Sequence, residues 1–421
     1  MLYKQAFISF FHDREGCYYH FYYGPQAAMI SRARYALLNI YHILIDGLFD
    51  TVPIILSFMA LAFGGNEKTV GLIVSLGAAL GTVAGLSTLF FSQAFGFSGT
   101  VALVTGGFGL CFVGAALAGN LPVAGACFVL AVAGFGVFHN IAFSYITLHT
   151  ERAKLGRAMS DFTAIGDIGR IPLVSFAAYA AALTFMGFPG WRAVCLVYGA
   201  LALAAALWLF CATRGEKAEQ TVATPAKKAL PCFALLRERD VFLSMLASVM
   251  NAFSNDRIFT FLPLLLIARG MEPTIIGSFA LGFTVGSFLG KMACGRFVDR
   301  FGSRRIFIIA ELVLAVLLGI LLFSSSLVVI MSIALLLGIV TKGTVPVIQA
   351  IITEPVQQRG SYEDIFSINS FLRGITNMTT PLLFGFIAST ASLNVVYALM
   401  AVMAGLAVLP ILLMGKRDST K

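Results

Sequence analysis

Roughly twelve apolar runs of about 20 residues each, separated by short polar or Gly/Pro breaks, constrain this chain more than anything else in it. They begin near residues 37, 70, 100, 122, 161, 192, 241, 275, 306, 328, 366 and 394. A run of that length crosses the hydrocarbon of a bilayer as a helix, which satisfies every backbone N–H and C=O within the segment. Barrel strands would show short segments of alternating character instead. With 59% hydrophobic and 12% charged residues and a mean hydropathy of +0.90, a soluble globule of 421 residues would lack the polar surface to cover itself. The expected class is an all-α polytopic membrane protein with twelve transmembrane helices, and the lipid bilayer is its first partner.

The net charge of +9 would suit nucleic acid if the charges formed one patch, but they follow topology instead. With the N-terminus in the cytoplasm, 19 of the 29 Lys and Arg fall in cytoplasmic segments, 3 outside (Lys68, Arg192 and Arg269), 5 within spans and 2 in the N-terminal tail. That is a positive-inside pattern. The expectation is therefore no nucleic acid, and a multi-pass protein of the plasma membrane (in a bacterium, the inner membrane) with both termini cytoplasmic. Seven cysteines, at 17, 111, 127, 195, 211, 232 and 294, show neither C-x-x-C spacing nor pairing within outer loops, and read as small apolar fillers. No cofactor or metal is expected. Residues 1–28 lack an apolar core followed by a small-residue cleavage site, so they do not read as a signal peptide. Met29, followed by Ser31-Arg32-Ala33-Arg34, reads as a natural start, which makes 1–28 either an upstream extension or a disordered tail.

The only long polar connection, residues 213–240, divides the chain into an N-terminal tail (1–35), a six-helix bundle (36–212), this linker, a second six-helix bundle (241–413) and a cytoplasmic tail (414–421). The halves share a pattern: DGLFDTVPIIL (46–56) and DRIFTFLPLLL (256–266) match at Asp46/Asp256, Phe49/Phe259 and Pro53/Pro263, and further on at Gly71/Gly277 and Gly96/Gly302. Such repeats suit alternating access, in which two bundles rock about a site between them. Gly81-x-x-x-Gly85 and Gly286-x-x-x-Gly290 add matched small-residue faces for close helix approach.

The stretch GRFVDRFGSRR (295–305) resembles the G-x-x-x-D-R-x-G-x-R-R loop signature of the major facilitator superfamily, and twelve spans in two halves fit that family over nearly the whole chain. The resemblance implies that Asp299, Arg300 and Arg304, with Gly295, Gly302 and Arg305, form charge pairs with helix ends and help gate one side. The first-half loop SQAFGFSG (92–99) keeps only Gly96, so this gating should be one-sided. GFGVFHNIAF (134–143), with LGRAMSDFTAIGDIGRIPL (155–173), His42 and Asp46, also resembles the fosmidomycin-resistance efflux branch, although Asn140 stands where that branch has Pro. Gly166, Asp167, Gly169, Arg170 and Pro172 in span five resemble the Gly- and Pro-rich stretch of many antiporters of the superfamily. The plain physical effect there is a bent, closely packed helix.

A charge at the centre of a spanning helix costs about 2.5–3.5 kcal/mol on insertion scales, so each one is a candidate site. His42, Asp46 and Asp50 are four residues apart and share one face of span one. They are the proposed proton-coupling groups together with Asp256, Asp46 being preferred because Asp256 is its twin. In the superfamily's arrangement, spans one, four, seven and ten line the cavity. That arrangement makes Arg257, Lys342, His139, Asn140 and Asn255 the candidate substrate-binding residues, with Arg373 of span eleven, which flanks the cavity, the three cations suiting an anionic group. Asp167 with Arg170, and Asp256 with Arg257, can equally be local ion pairs. Lys291, Glu311 and Glu354 read as lying near span ends, within snorkelling distance of the interface.

The function expected is secondary transport of a small organic solute, an anion or a drug among the candidates, by alternating access, coupled to protons, by a monomer. A transport-inactive receptor or scaffold, and an uptake symporter rather than an exporter, stand as alternatives. No enzyme is expected, since H-E-x-x-H and G-x-S-x-G are absent and GSFLGKMA near 286 lacks the spacing of a phosphate loop.

Overall fold

The computed structural model describes residues 32–149, 152–213, 233–324, 326–357 and 362–415. The tail at 1–28 with Cys17, most of the linker with Cys232, and the last six residues lie outside the described residues. The helices are α1 (Arg32–Ala62), α2 (Glu67–Leu86), α3 (Thr88–Leu117), α4 (Leu121–His149), α5 (Arg152–Ala181), α6 (Gly190–Ala212), α7 (Arg239–Asn255), α8 (Ile258–Ala268), α9 (Ile275–Phe301), α10 (Ser303–Phe323), α11 (Leu327–Lys342), α12 (Val345–Thr353), α13 (Tyr362–Thr390) and α14 (Leu393–Leu413). A hairpin of two-residue strands, Thr184–Phe185 and Phe188–Pro189, links α5 to α6.

Among the described residues nine helices are long and apolar enough to cross a membrane, α11 and α12 counting as one. The remaining crossings are α5, α7 with α8, and α13. These three carry Asp167 and Arg170, Asp256 and Arg257, and Arg373, so their polar residues are what set them apart. Twelve crossings result, as the apolar runs imply.

Spans seven and ten are each broken near the middle, at Asp256-Arg257 and at Gly343-Thr344. Pro346 lacks an N–H and biases the residue before it away from the helix, and Gly343 packs on the backbone of Gly290. In span seven, Asn255 and Asp256 are residue types of low helix propensity standing at the break. Pro263 also leaves the carbonyl of Phe259 without its helical partner.

The duplication is visible in the backbone. Gly96 and Gly302 both take positive φ, 66° and 83°, which side chains rarely adopt. Gly81 packs against the backbone of Gly136 to bring α2 onto α4, and Gly286 and Gly290 pack against Leu335 and Ile339 to bring α9 onto α11. Between the bundles, α2 lies on α13 and α5 on α9, a pair of contacts related by the same repeat. Gly71 meets Pro381 and Gly385 there, Gly277 meets Tyr179, and the Ser75 hydroxyl donates to the carbonyl of Met378. Gly71 and Gly277 both lie within the first five residues of their helices, so the bundles meet at the end away from the basic 296–305 segment.

Candidate functional site

A cavity of about 400 Å³ lies between the bundles. Its first-bundle wall carries Asp50 and Arg170, and its second-bundle wall carries Asn255, Asp256, Arg257, Lys342 and Arg373 beside amides and threonines. Both breaks in the second bundle open onto it and bring Arg257 and Lys342 to its wall.

His42 and Asp46 stand behind this wall, buried against α4 and α5. Gly166 makes the room, since a Cβ there would lie 2.6 Å from His42 Cε1 and 2.7 Å from Asp46 Oδ2; Gly169 lets α5 touch the backbone of Ile43 in α1. The small residues of the 166–172 stretch therefore set a close α1–α5 contact at the charge cluster. Phe162 stacks on the His42 ring with centroids 3.9 Å apart and fixes its plane.

The cluster itself is continuous. Arg170 reaches Asp46 at 2.9 Å and Asp50 at 2.8 Å, and also pairs with Asp167. Asp167 takes a second cation, Lys291 from α9 of the other bundle. His42 Nε2 and His139 Nε2 each lie 3.3 Å from an Asp46 oxygen and 3.2 Å from one another.

The ring nitrogens can be assigned from their partners. His139 Nδ1 lies 3.2 Å from the carbonyl of Phe135, which can only accept, so Nδ1 carries a hydrogen. In a neutral ring, His139 Nε2 then presents a lone pair to Asp46 Oδ1, which has no hydrogen-bond donor although it is buried. One added proton on His139 Nε2 supplies that donor, the His42 Nε2 hydrogen then serving Asp46 Oδ2 in place of His139. Charge gives the same result: Asp46, Asp50 and Asp167 against Arg170 and Lys291 leave one negative charge, and one proton cancels it. The two Nε2 atoms and Asp46 could also hold a divalent metal, since their ligand atoms lie within 4.8 Å of one another. A dication would leave the buried cluster positive, and Arg170 already occupies Asp46 Oδ2, so the donor set fits a proton better.

The second bundle repeats the motif with different neighbours. Asp256 pairs with Arg373 at 2.7 and 3.0 Å, not with Arg257 beside it. A carboxylate of the first span in each half thus meets an arginine of the fifth span of that half, Asp46 with Arg170 and Asp256 with Arg373. Arg373 also donates to Ser248 O and Asn251 Oδ1 at 3.3 and 3.4 Å. Arg257 donates to Asn377 O at 2.9 Å, and its buried Nε has no hydrogen-bond partner. Among the described residues neither Arg257 nor Lys342 has a carboxylate at ion-pair distance.

Asn140 stands apart from the cavity: its amide donates to Gly85 O at 2.9 Å and ties α4 to α2. In the 295–305 segment, Arg304 pairs with Glu354 at 2.8 Å and donates to Gly415 O at 2.6 Å, Arg300 lies over the Phe301 ring at 5.2 Å, and Arg305 is exposed. Gly295 and the side chain of Asp299 lie outside the described residues. Three residues read from the sequence as span-end snorkellers have specific partners instead. Lys291 bridges the bundles, Glu354 holds Arg304, and Glu311 sits buried in α10 beside Asn251.

The sequence matches the Major Facilitator Superfamily over residues 38–277 and again over 244–421. No curated protein matches it. Among solved structures it is similar to a D-xylose-proton symporter (15% identity, 92% of this chain and 98% of that one, TM-score 0.73). It is similar also to the nucleoside transporter NupG (11%, 91% and 100%, 0.72). A third is a bacterial homolog of the human lysosomal transporter Spinster in an inward-facing, occupied conformation (15%, 90% and 96%, 0.66). At these identities the likeness is one of fold. The two family matches together run from residue 38 to the C-terminal residue, and with them this multi-pass membrane protein belongs to the Major Facilitator Superfamily.

Proposed function

We propose that the protein is a secondary transporter that moves a small organic anion by alternating access, coupled to protons. The observation that carries this reading is the pair Arg257 and Lys342, cations without a carboxylate partner among the described residues, on the wall of a cavity between two pseudo-repeated bundles. Desolvated cations need counter-charge, and a carboxylate or phosphonate solute supplies it, Arg257 by a planar fork and Lys342 as a point charge. The amides and threonines around them suit the polar remainder of a small solute.

The His42–Asp46–His139 cluster supports the proton's part. It is one proton short of neutrality, and one of its two cations, Lys291, belongs to the other bundle. A rocking motion that draws α9 from α5 removes that cation, and a second proton is what restores the balance. Proton occupancy and bundle position are then linked. The positive-inside pattern supports a cytoplasmic position for the basic end. With the bundles in contact at the opposite end, the cavity belongs to a state closed toward the outside. The resemblance of 166–172 to the antiporter stretch favours export.

The test is flux of a panel of organic anions into vesicles holding the purified protein, with and without an imposed pH gradient, for wild type and Asp46→Asn. The expected result is gradient-driven flux of at least one anion that the substitution abolishes. Flux indifferent to both the gradient and Asp46→Asn would sink the coupling.

A further inference from the structure

We infer that Glu311 is a second proton-binding group, held neutral inside the second bundle and linked through Asn251 to the cavity pair Asp256–Arg373. Glu311 is the ninth residue of α10 and is 0% exposed, well inside the helix rather than at a span end. Asp46, Asp50, Asp167 and Asp256 each have an arginine or lysine within ion-pair distance; among the described residues Glu311 has none. An ionised carboxylate buried with no cation is the least tolerable state for a group at this depth, and a neutral acid is the alternative.

The hydrogen-bond count points the same way. Asn251 Nδ2 donates to Glu311 Oε1 at 2.6 Å. Ser254 has one hydroxyl hydrogen, and the shorter of its two contacts, 2.9 Å to Asn251 O, takes it. Glu311 Oε2, 3.4 Å from Ser254 Oγ, then faces an oxygen lone pair, and that contact is attractive when Oε2 carries the proton.

The surroundings leave one route by which this proton can matter. Of the elements packed on α10, α12 and α14 carry no charged residue and α11 only Lys342 at its end. In α7 the charges are Arg239 and Asp240, both in its first turn. In α9 they are Lys291, engaged with Asp167, and Arg296, Asp299 and Arg300 at the far end of the helix. Arg373, paired with Asp256, is the charged group joined to Glu311 by a chain of hydrogen bonds. Between them and Glu311 stands one side chain, Asn251, whose Oδ1 faces Arg373 at 3.4 Å while its Nδ2 serves Glu311. Loss of the Glu311 proton creates a carboxylate on the far side of that amide. Arg373 is then drawn from Asp256 toward Glu311, which changes the charge presented to a solute in the cavity.

This deepens the proton-coupled reading and rests on it for its meaning in transport, but the proton on Glu311 can be read without transport. The purified full-length protein in lipid nanodiscs is examined by infrared spectroscopy near neutral pH, comparing wild type with Glu311→Gln. The glutamine keeps the shape and neutrality of the acid and is expected to fold. The expected result is loss of one protonated-carboxyl C=O band in Glu311→Gln, and its retention at a shifted position in Glu311→Asp. Identical carboxyl bands in wild type and Glu311→Gln would overturn the inference. Loss of the band in a protein whose flux ignores a pH gradient would uphold the proton on Glu311 while refuting the coupling, so the two failures are distinguishable.

Discussion

Replacing Arg170 by glutamine removes the cation that three carboxylates share. Its guanidinium lies 2.9 Å from Asp46 and 2.8 Å from Asp50 and also holds Asp167. Asp50 opens onto the cavity and is re-solvated at little cost, and Asp167 keeps Lys291. Asp46, with 4% of its side chain exposed, loses its only arginine. Breaking a buried pair from one side costs about 3–5 kcal/mol, and the geometry assigns nearly all of that to Asp46. Adding Asp46→Asn removes the orphaned charge, so the double variant should be about 1–3 kcal/mol more stable than Arg170→Gln alone. The assay is thermal denaturation in detergent, with all four proteins heated at one rate because unfolding of such proteins is irreversible. The expected order of midpoints puts wild type highest, the double variant between, and Arg170→Gln lowest. A double variant that melts no higher than Arg170→Gln would refute the assignment of Arg170 as the counter-charge of Asp46.

Other expectations follow from single contacts. Gly166→Ala places a methyl against His42 and Asp46 and should lower the melting midpoint by an amount corresponding to about 1–3 kcal/mol while impairing gradient-driven flux; Gly405→Ala, where a Cβ meets nothing, should change neither. Lys291→Gln should leave the protein folded but weaken the dependence of flux on the pH gradient, measured in vesicles, and an unchanged dependence would remove Lys291 from the coupling. Asn140→Ala should cost about 1 kcal/mol through the lost bond to Gly85 O, seen as a small drop in melting midpoint, with anion flux retained.

The twelve crossings were legible because hydrocarbon thickness fixes the length of an apolar run, and the repeat was legible because Asp46/Asp256 and Pro53/Pro263 share one spacing and, after a loop of different length, Gly71/Gly277 and Gly96/Gly302 share another. Partners across the fold were not. Arg170 is three residues from Asp167 in sequence, and that pair is present, but its contacts with Asp46 and Asp50 depend on how α5 is set against α1. The glycines at 166 and 169 were the available signal for that approach, readable as close packing but silent about the partner. Glu311 and Lys291 escaped for a different reason. An approximate span boundary cannot separate a residue two turns into a helix from one at its end, and burial cost turns on that difference. The break in span ten could be suspected from Gly343 and Pro346, whereas the break at Asp256-Arg257 has no proline at its own position.

The acid and arginine that neutralise one another in each half, Asp46 with Arg170 and Asp256 with Arg373, belong to the same half. A chain emerging from the ribosome from its N-terminus inserts its first six spans before the second six exist. Because its arginine arrives within the same set of helices as its aspartate, the first half can settle in the bilayer with that charge already matched. The lysine that Asp167 takes from α9 comes later, and it marks the two finished halves coming together.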